Sequence, residues 1–282
     1  LASVTIGYCD PEVNEAVIKQ LGKGVTFSLS SKLEAEVAEM VCALVPSADM
    51  VRFAKNGSDV TSAAVRLARA FTSRDIILTS GYHGWHDWYI GITTMNLGVP
   101  KSVSELTDKF EFNNIESFES ALERHKNRVA GIILEPMAAI VPDAAFLQHI
   151  RNRTEELGIV LIFDEIVTGF RVAPGGAQEF LGVLPDLTCL GKGIANGFPL
   201  SALAGKSELM KLLPGVFFSG TFGGETLSLA AAKVVLQKVK EGATEVLRQK
   251  GSFLRTEIEK IFSDLDFNLA KFSGHDSWLF LL

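Results

Sequence analysis

The sequence predicts an α/β fold in which a mostly parallel sheet is covered by helices. Short, almost continuously apolar runs, such as VAGIILEP at 129–136 and GIVLIFDE at 158–165, are typical of strands buried on both faces. Segments with apolar residues at helical spacing alternate with these runs, as expected for repeated strand–helix–strand units. The chain has 282 residues, 47% of them hydrophobic, which is enough to form a large core.

The individual elements follow from the same patterns. Helical periodicity predicts helices at 33–45, 60–71, 144–157, 225–240 and 244–262, with a short one at 116–126. Apolar and β-branched runs predict strands at 50–54, 75–79, 129–136, 158–165, 186–191 and 201–205. The polar, mixed stretch 84–128 is predicted to be a long and mostly irregular excursion.

Composition excludes several classes of function. The net charge of -6 and the absence of a basic stripe give no support for binding to nucleic acid or to an anionic membrane. No apolar run is long enough to span a bilayer, and the N-terminus lacks a signal-peptide pattern. The three cysteines, Cys9, Cys42 and Cys189, are odd in number and form no CxxC motif, which predicts free thiols and a cytoplasmic location. Both termini suggest part of a longer protein.

Polar residues follow most of the predicted strands. In open α/β sheets, ligands bind beyond the carboxyl ends of the strands, so these residues are the candidates for a functional site. The segments at these ends are Asn56-Gly57-Ser58-Asp59, Gly81-Tyr82-His83-Gly84, Glu135-Pro136, Asp164-Glu165 and Gly191-Lys192-Gly193.

Three of these segments have both an ordinary and a functional interpretation. The turn at Gly57 either caps the next helix or offers backbone N–H groups to an anion. Asp164 either caps a helix or pairs with a cationic ring nitrogen. Lys192 is either an incidental loop lysine or a partly desolvated amine that attacks a carbonyl group. We expect Cys189, three residues before Lys192, to be a small buried apolar residue.

Other catalytic motifs are not supported. The pattern His83-x-x-His86-Asp87 lacks the spacing of helical zinc ligands, and Gly84 interrupts it, so no metal site is predicted. An aromatic surface for a flat cofactor fits this segment better. The sequence has no G-x-S-x-G elbow, no P-loop and no glycine fingerprint for a nicotinamide cofactor after its first strand.

Taken together, several stretches resemble a known family. They are KNGSDVTSAAVRLARA, GYHGWHD, EPM, FDEIVTGFR, PDLTCLGKGIANGFPLSALAG and SGTFGGETLSLAA. In this order they resemble the class III, fold type I aminotransferases that depend on pyridoxal 5'-phosphate, in particular the glutamate-1-semialdehyde aminomutase branch. The resemblance covers residues 5–240. It implies a truncated N-terminal segment at 1–38, a cofactor-binding large domain at 39–240 and the start of a C-terminal small domain at 241–282.

The resemblance also implies roles for individual residues. Lys192 would join the cofactor through a carbon–nitrogen double bond and carry a proton, Asp164 would pair with the ring nitrogen, and Glu135 would be the active-site glutamate of the EP motif. The other implied cofactor contacts are Tyr82 and Ile166 on the ring faces, Gly57 and Ser58 at the phosphate, Gly220 and Thr221 at the phosphate of the neighbouring subunit, and His83 in no assigned role. Gly191 and Gly193 would leave room for the cofactor.

The implied activity is transfer of an amino group between an amine or amino acid and a carbonyl compound, with the cofactor passing through pyridoxamine phosphate. The alternatives are a strict glutamate-1-semialdehyde 2,1-aminomutase and a non-catalytic binding fold. Lys55-Asn56 replaces the Asn-Ser that is common in the family, and Val167 stands where ornithine- and GABA-type enzymes have glutamine. The implied assembly is a homodimer that shares its active sites.

Overall fold

The computed structural model describes residues 2–267 and 269–282. Its helices are α1 Pro11–Leu21, α2 Lys32–Leu44, α3 Gly57–Thr72, α4 Asp87–Ile90, α5 Lys101–Ser104, α6 Ile115–Arg124, α7 Ala144–Leu157, α8 Ala177–Leu181, α9 Ser207–Met210, α10 Leu213–Val216, α11 Thr226–Lys240 and α12 Ala243–Asp264. Its strands are β1 Met50–Ala54, β2 Ile76–Ser80, β3 Thr107–Lys109, β4 Val129–Leu134, β5 Val160–Glu165, β6 Leu187–Leu190, β7 Ser201–Gly205, β8 Phe272–Ser273 and β9 Phe280–Leu281.

Seven strands form one sheet in the order β1-β7-β6-β5-β4-β2-β3. Strand β7 is antiparallel to both of its neighbours, β1 and β6, while the other pairs are parallel. The remaining six strands therefore all run in one direction, and their carboxyl ends meet at one edge of the sheet. This confirms the predicted α/β class with a mostly parallel sheet.

Helices cover both faces of the sheet because successive strand residues point to opposite sides. On β4, Ile133 packs in the cluster that contains α3, while Ile132 packs in the cluster that contains α6 and α7. Near β1 and β7, helices α2 and α11 cover the same face as α6 and α7. The strand interiors are mostly apolar, with Thr79 and Thr188 as buried polar exceptions, so most polar side chains lie at the strand ends.

Most predicted elements agree with the structure to within a few residues, with three informative differences. Helix α3 begins at Gly57 and not at residue 60, so the glycine turn is the first turn of the helix. Helix α1 was not predicted, since only Val13 in it is buried and its apolar signal is small. The excursion at 84–128 contains the predicted short helix as α6, and it also adds β3 to the sheet edge.

The proposed division into domains stays a prediction. Helix α2 crosses the proposed boundary at residue 38, and Val13 of α1 packs in one cluster with Val235 of α11. After residue 241, helix α12 has only one buried residue, Thr244, and the β8–β9 hairpin forms a separate small sheet.

A fully buried carboxylate fixes the chain that follows β5. Glu165 Oε2 accepts hydrogen bonds from Thr168 Oγ1 and Ala177 N, and its Oε1 accepts from the backbone and side-chain nitrogens of Gln178. Because the carboxylate is adjacent to Asp164, this network holds the strand end that contributes to the site described below. Burial raises the pKa of Glu165, while its hydrogen-bond donors lower it in part.

We expect Glu165→Gln to lower the free energy of unfolding by about 3 kcal/mol, because the amide NH₂ cannot accept the two bonds of one carboxylate oxygen. Urea denaturation measures this change. Glu179→Gln is the matched control, since Glu179 lies in the same segment but is exposed; a change within about 0.5 kcal/mol is expected there. Equal midpoints for the two variants would contradict the assignment of Glu165 as the anchor.

Candidate active site

The carboxyl edge of the sheet surrounds a cavity of about 320 Å³. The predicted site residues that line it are Gly57, Ser58, Tyr82, Glu135, Asp164, Ile166 and Lys192. They follow β1, β2, β4, β5 and β6, so the topology brings together five chain segments that are far apart in sequence. Phe198, Pro199 and Leu200, which lead into the antiparallel β7, complete the wall.

Lys192 begins a single 3₁₀ turn directly after β6 and adopts a φ of +40°. This left-handed conformation is strained for a residue with a side chain and is typical of functional positions. The flanking glycines are explained by protein neighbours. A Cβ on Gly193 would lie 2.3 Å from Thr5 Oγ1, and one on Gly191 would lie 3.2 Å from Ile166 Cγ2. Tight packing of the chain itself thus already favours glycine at both positions, and the expectation that they also leave room for a cofactor stays a prediction.

Partial burial lowers the pKa of the Lys192 ammonium, since desolvation disfavours the charged form. Arg171 lowers it further, while Asp164 and Glu135 oppose the shift. The net effect increases the fraction of neutral amine at a given pH. A neutral amine facing a cavity is the form that attacks carbonyl carbon.

Asp164 lies at the end of β5 and is 4% exposed. Its Oδ2 is 2.8 Å from His83 Nδ1, and its Oδ1 accepts a hydrogen bond from Ile166 N. Both contacts fix the orientation of the carboxylate as it faces the cavity. A fixed, nearly buried carboxylate is suited to pairing with a cationic group of a ligand.

His83, which the resemblance places among the cofactor contacts without a role, lies behind Asp164 and is not among the residues that line the cavity. Its contact with the cofactor stays a prediction. Since a carboxylate only accepts, the proton of this hydrogen bond is on His83 Nδ1. Its Nε2 is buried and has no hydrogen-bond partner among the described residues. The ring packs against Trp88 and Tyr89 instead. His83 therefore contributes by holding Asp164.

The turn before α3 lies at the cavity, which Asn56, Gly57 and Ser58 line, so the unpaired N–H end of the helix is at this wall. Asn56 N donates to Asp59 Oδ2, which closes the start of the helix, and Asn56 O accepts from Ser201 Oγ. The turn is tightly enclosed, because a Cβ on Gly57 would lie 2.6 Å from Ile166 Cδ1. The start of a sixteen-residue helix with a glycine in its first turn is suited to an anion.

Glu135 and Tyr82 are connected to each other. Glu135 Oε2 accepts a hydrogen bond of 2.8 Å from Tyr82 N. Burial raises the pKa of Glu135, and the bond from Tyr82 lowers it in part. Gly81, with a φ of +112°, allows this approach, since a Cβ there would lie 2.7 Å from the same oxygen. The carboxylate thus fixes the backbone of the aromatic residue that lines the cavity.

Gly220 and Thr221 are not brought to the cavity of Lys192 within one chain. Both are exposed and line a second cavity of about 400 Å³, together with Asp59, Arg66 and His86. The family resemblance predicts that they contact the phosphate of a neighbouring subunit, and this arrangement stays a prediction.

Arg171 and the N-terminal segment lie close to the lysine turn, which the sequence patterns did not predict. The Arg171 guanidinium is buried and donates to Val167 O, Ala2 O and Thr5 Oγ1. Asn196, at the end of the lysine turn, accepts from Thr5 N. The N-terminal segment is therefore hydrogen-bonded both to Arg171 and to the end of the turn that contains Lys192. Arg171 ends the motif FDEIVTGFR, which is the local signal that could have identified this position.

The histidines and acidic residues of the described part of the chain do not form a metal site. Within residues 2–267 and 269–282, no group of three or more His, Cys, Asp or Glu side chains is arranged to hold a metal ion. His86 Nδ1 lies 2.7 Å from Ser62 Oγ, so the two histidines of His83-x-x-His86 have different partners.

Among the helices within residues 2–267 and 269–282, none has the length and apolarity needed to cross a membrane. The cysteines are free, and Cys189 is buried as expected.

Fold and site define an α/β protein with a partly buried lysine in a cavity at the carboxyl edge of its sheet. The model of the aminotransferase class-III family matches residues 1–268, and the chain belongs to this family.

Similar proteins and solved structures agree with this family assignment. The chain is 40% identical over 277 residues to glutamate-1-semialdehyde 2,1-aminomutase of Methanothermobacter thermautotrophicus, covering 93% of this chain and 66% of the relative. It is also similar to an omega-transaminase from Sphaerobacter thermophilus, at 31% identity with a TM-score of 0.89 over 98% of this chain and 68% of the other. A transaminase with PLP bound is 27% identical with a TM-score of 0.93, covering all of this chain and 70% of the other. The predicted fold type I is thus confirmed. The chain spans about two thirds of the length of the curated relatives.

Proposed function

We propose that the protein uses pyridoxal 5'-phosphate to transfer an amino group between an amine or amino acid and a carbonyl compound. One observation carries the proposal: a single cavity joins the Lys192 amine, the fixed Asp164 carboxylate and the anion-binding turn at Gly57. These are three chemically different groups, and each fits a different part of one cofactor. The names of the similar proteins support the same activity.

The residues of the cavity fit this cofactor. The helix start at Gly57 and Ser58 suits its phosphate, and Asp164 suits its ring nitrogen. Tyr82 and Ile166 offer an aromatic and an aliphatic surface to its ring. When bound, the cofactor supplies an aldehyde that combines with amines and a ring that withdraws electrons from the attached carbon.

The residues in and around the cavity then have separate tasks. Lys192 Nζ would hold the cofactor at its aldehyde carbon and would carry a proton to and from the substrate carbon. Asp164 would face the ring nitrogen and favour its protonated form, and His83 holds the carboxylate in position. Glu135 positions Tyr82 through the backbone hydrogen bond. Partial burial lowers the pKa of Lys192 and so favours the neutral amine that these tasks require.

A strict aminomutase is the second candidate, favoured by the name that several relatives at 35–40% identity share. The two activities differ in whether the amine returns to the same molecule. Incubation with glutamate 1-semialdehyde alone separates them: a mutase moves the amino group from C2 to C1 without a second substrate. A non-catalytic fold would bind the cofactor and give neither product.

The direct test of the proposal is mass analysis after borohydride reduction of the full-length protein loaded with pyridoxal 5'-phosphate. We expect one phosphopyridoxyl adduct, and we expect it on the peptide that contains Lys192. An adduct distributed over surface lysines, or a purified protein that carries a nicotinamide instead, would contradict the proposal.

We also propose a homodimer and a cytoplasmic location. The exposed Gly220 and Thr221 support the first, because they would complete the phosphate site of a second subunit. The three free cysteines support the second. Sedimentation of the loaded protein as a monomer would contradict the shared site.

A further inference from the structure

Lys55 lies in the wall between the cavity that contains Lys192 and the cavity that contains Thr221, and it lines both. Its side chain is only 17% exposed. The ammonium donates to Glu225 Oε2 and Pro199 O, both at 2.9 Å, and to Ser228 Oγ at 3.3 Å. All three of its protons are therefore used inside the protein, with none directed at a ligand.

Glu225, the partner of Lys55, is equally enclosed at 13% exposure. It caps α11, since its carboxylate also accepts from Leu227 N and Ser228 N. Burial by itself raises the pKa of Glu225, but the hydrogen bonds from Lys55, Ser228 and Leu227 hold it below its ordinary value. The two charges compensate each other, and removal of either one would leave the other buried without a counter-charge.

The pair joins two segments that are 170 positions apart in the chain. Lys55 directly precedes the turn at Asn56 and Gly57, whereas Glu225 directly follows the loop that contains Gly220 and Thr221. This loop is packed under the end of β1, because a Cβ on Gly223 would lie 2.9 Å from Phe53 O. One ion pair thus fixes both segments to which a phosphate role is assigned.

We propose that the Lys55–Glu225 pair is a positioning device for the cofactor phosphate: it ties the anion-binding turn of a subunit to the loop that the same subunit presents to its neighbour. The inference rests on the proposed function. Neither residue touches the phosphate. Each acts through the backbone that it holds, so their loss should affect ligands with a phosphate more than ligands without one.

The test compares the affinity of the full-length apoprotein for pyridoxal 5'-phosphate and for pyridoxal, by absorbance titration. For Lys55→Met we expect about a tenfold loss of affinity for the phosphorylated compound, the scale of one charged hydrogen bond, and little change for pyridoxal. Equal losses for the two compounds would indicate a merely structural role and overturn the proposal. Unchanged affinity for both would overturn it as well.

A second variant separates positioning from simple charge attraction. Glu225→Gln keeps one acceptor oxygen but leaves the Lys55 charge uncompensated. If Lys55 acted only by attracting phosphate, this variant would bind pyridoxal 5'-phosphate more tightly, and that result overturns the proposal. Positioning through the pair predicts weaker binding, in the same direction as Lys55→Met.

Lys238→Met is the matched control. Lys238 lies at the other end of α11 and pairs with Asp10 and Glu12, with side-chain exposures of 21% and 12% for Lys238 and Asp10. It should change the thermal midpoint to a similar extent, but it should leave the ratio of the two affinities unchanged. If the wild-type protein binds neither compound, the proposed function fails. If the wild type binds and the ratio does not respond to Lys55→Met, only the positioning role fails.

Discussion

Lys192→Ala is expected to abolish the borohydride-stable adduct and to lower amino transfer by on the order of 10⁴-fold or more, because one side chain supplies both the nucleophile and the proton carrier. The visible absorption of the lysine-bound cofactor should disappear at the same time. Lys211→Ala, at an exposed lysine outside the cavity, is the control and should keep both properties.

Lys192→Ala should not lower the free energy of unfolding of the apoprotein. Burial lowers the pKa of Lys192, so its charged form is less favourable in the folded state than in the unfolded chain. The unfolded state binds more protons in the window between the lowered pKa and the ordinary value of 10.5. The stability contributed by this group therefore rises with pH through that window. Asp164 and Glu135 reduce the shift of the Lys192 pKa, and Arg171 increases it.

This pH dependence gives a measurement independent of catalysis. The difference in unfolding free energy between wild type and Lys192→Ala should shift in favour of the wild type as the pH rises toward 10.5. Urea titrations of the two apoproteins at several alkaline pH values measure it. A wild-type protein that gains stability relative to the variant as the pH falls would contradict the assigned direction.

Asp164→Asn is expected to reduce kcat/KM by roughly 10²–10³-fold while leaving the fold intact, because the amide removes the charge that holds a ring nitrogen in its protonated form. The substitution is nearly isosteric, and the amide oxygen still accepts from His83. Turnover and the absorption spectrum of the loaded enzyme measure the effect. An unchanged kcat/KM would contradict the proposed role of Asp164 toward the ring nitrogen.

Two comparisons isolate this effect. Asp186→Asn is the stability control, since Asp186 pairs with Arg151 and Lys206 and accepts from Leu161 N, away from the cavity. It should lower the unfolding midpoint without changing the spectrum. His83→Ala should reduce kcat/KM in the wild-type background but have little further effect beside Asp164→Asn, because His83 acts through the carboxylate. Additive losses would indicate a separate role for His83.

The fold could be predicted largely from local patterns. Continuous apolar runs identified the buried strands, and the rule that ligands bind at strand ends selected Lys192, Asp164, Glu135 and the turn at Gly57. The structure places all four in one cavity. Their roles toward the cofactor stay predictions that the variants above would test.

Other features could not be predicted because their signals are not local. His83 faces Asp164 across 81 positions of sequence, and the Gly193 backbone is confined by Thr5, which lies near the N-terminus. No propensity or periodicity encodes such a pair. The excluded Cβ at Gly193 becomes visible only when the N-terminal segment is packed against the lysine turn.

The sequence by itself determined the α/β class, the buried strands and the chemistry of each strand end, since these depend on residue type and on spacing over a few positions. Only the tertiary structure decided that β7 runs antiparallel, that His83 lies behind Asp164, and that Lys55 pairs with Glu225. The physical reason is that these features depend on side chains brought together by packing, where distance and burial set the energy and sequence separation has no influence.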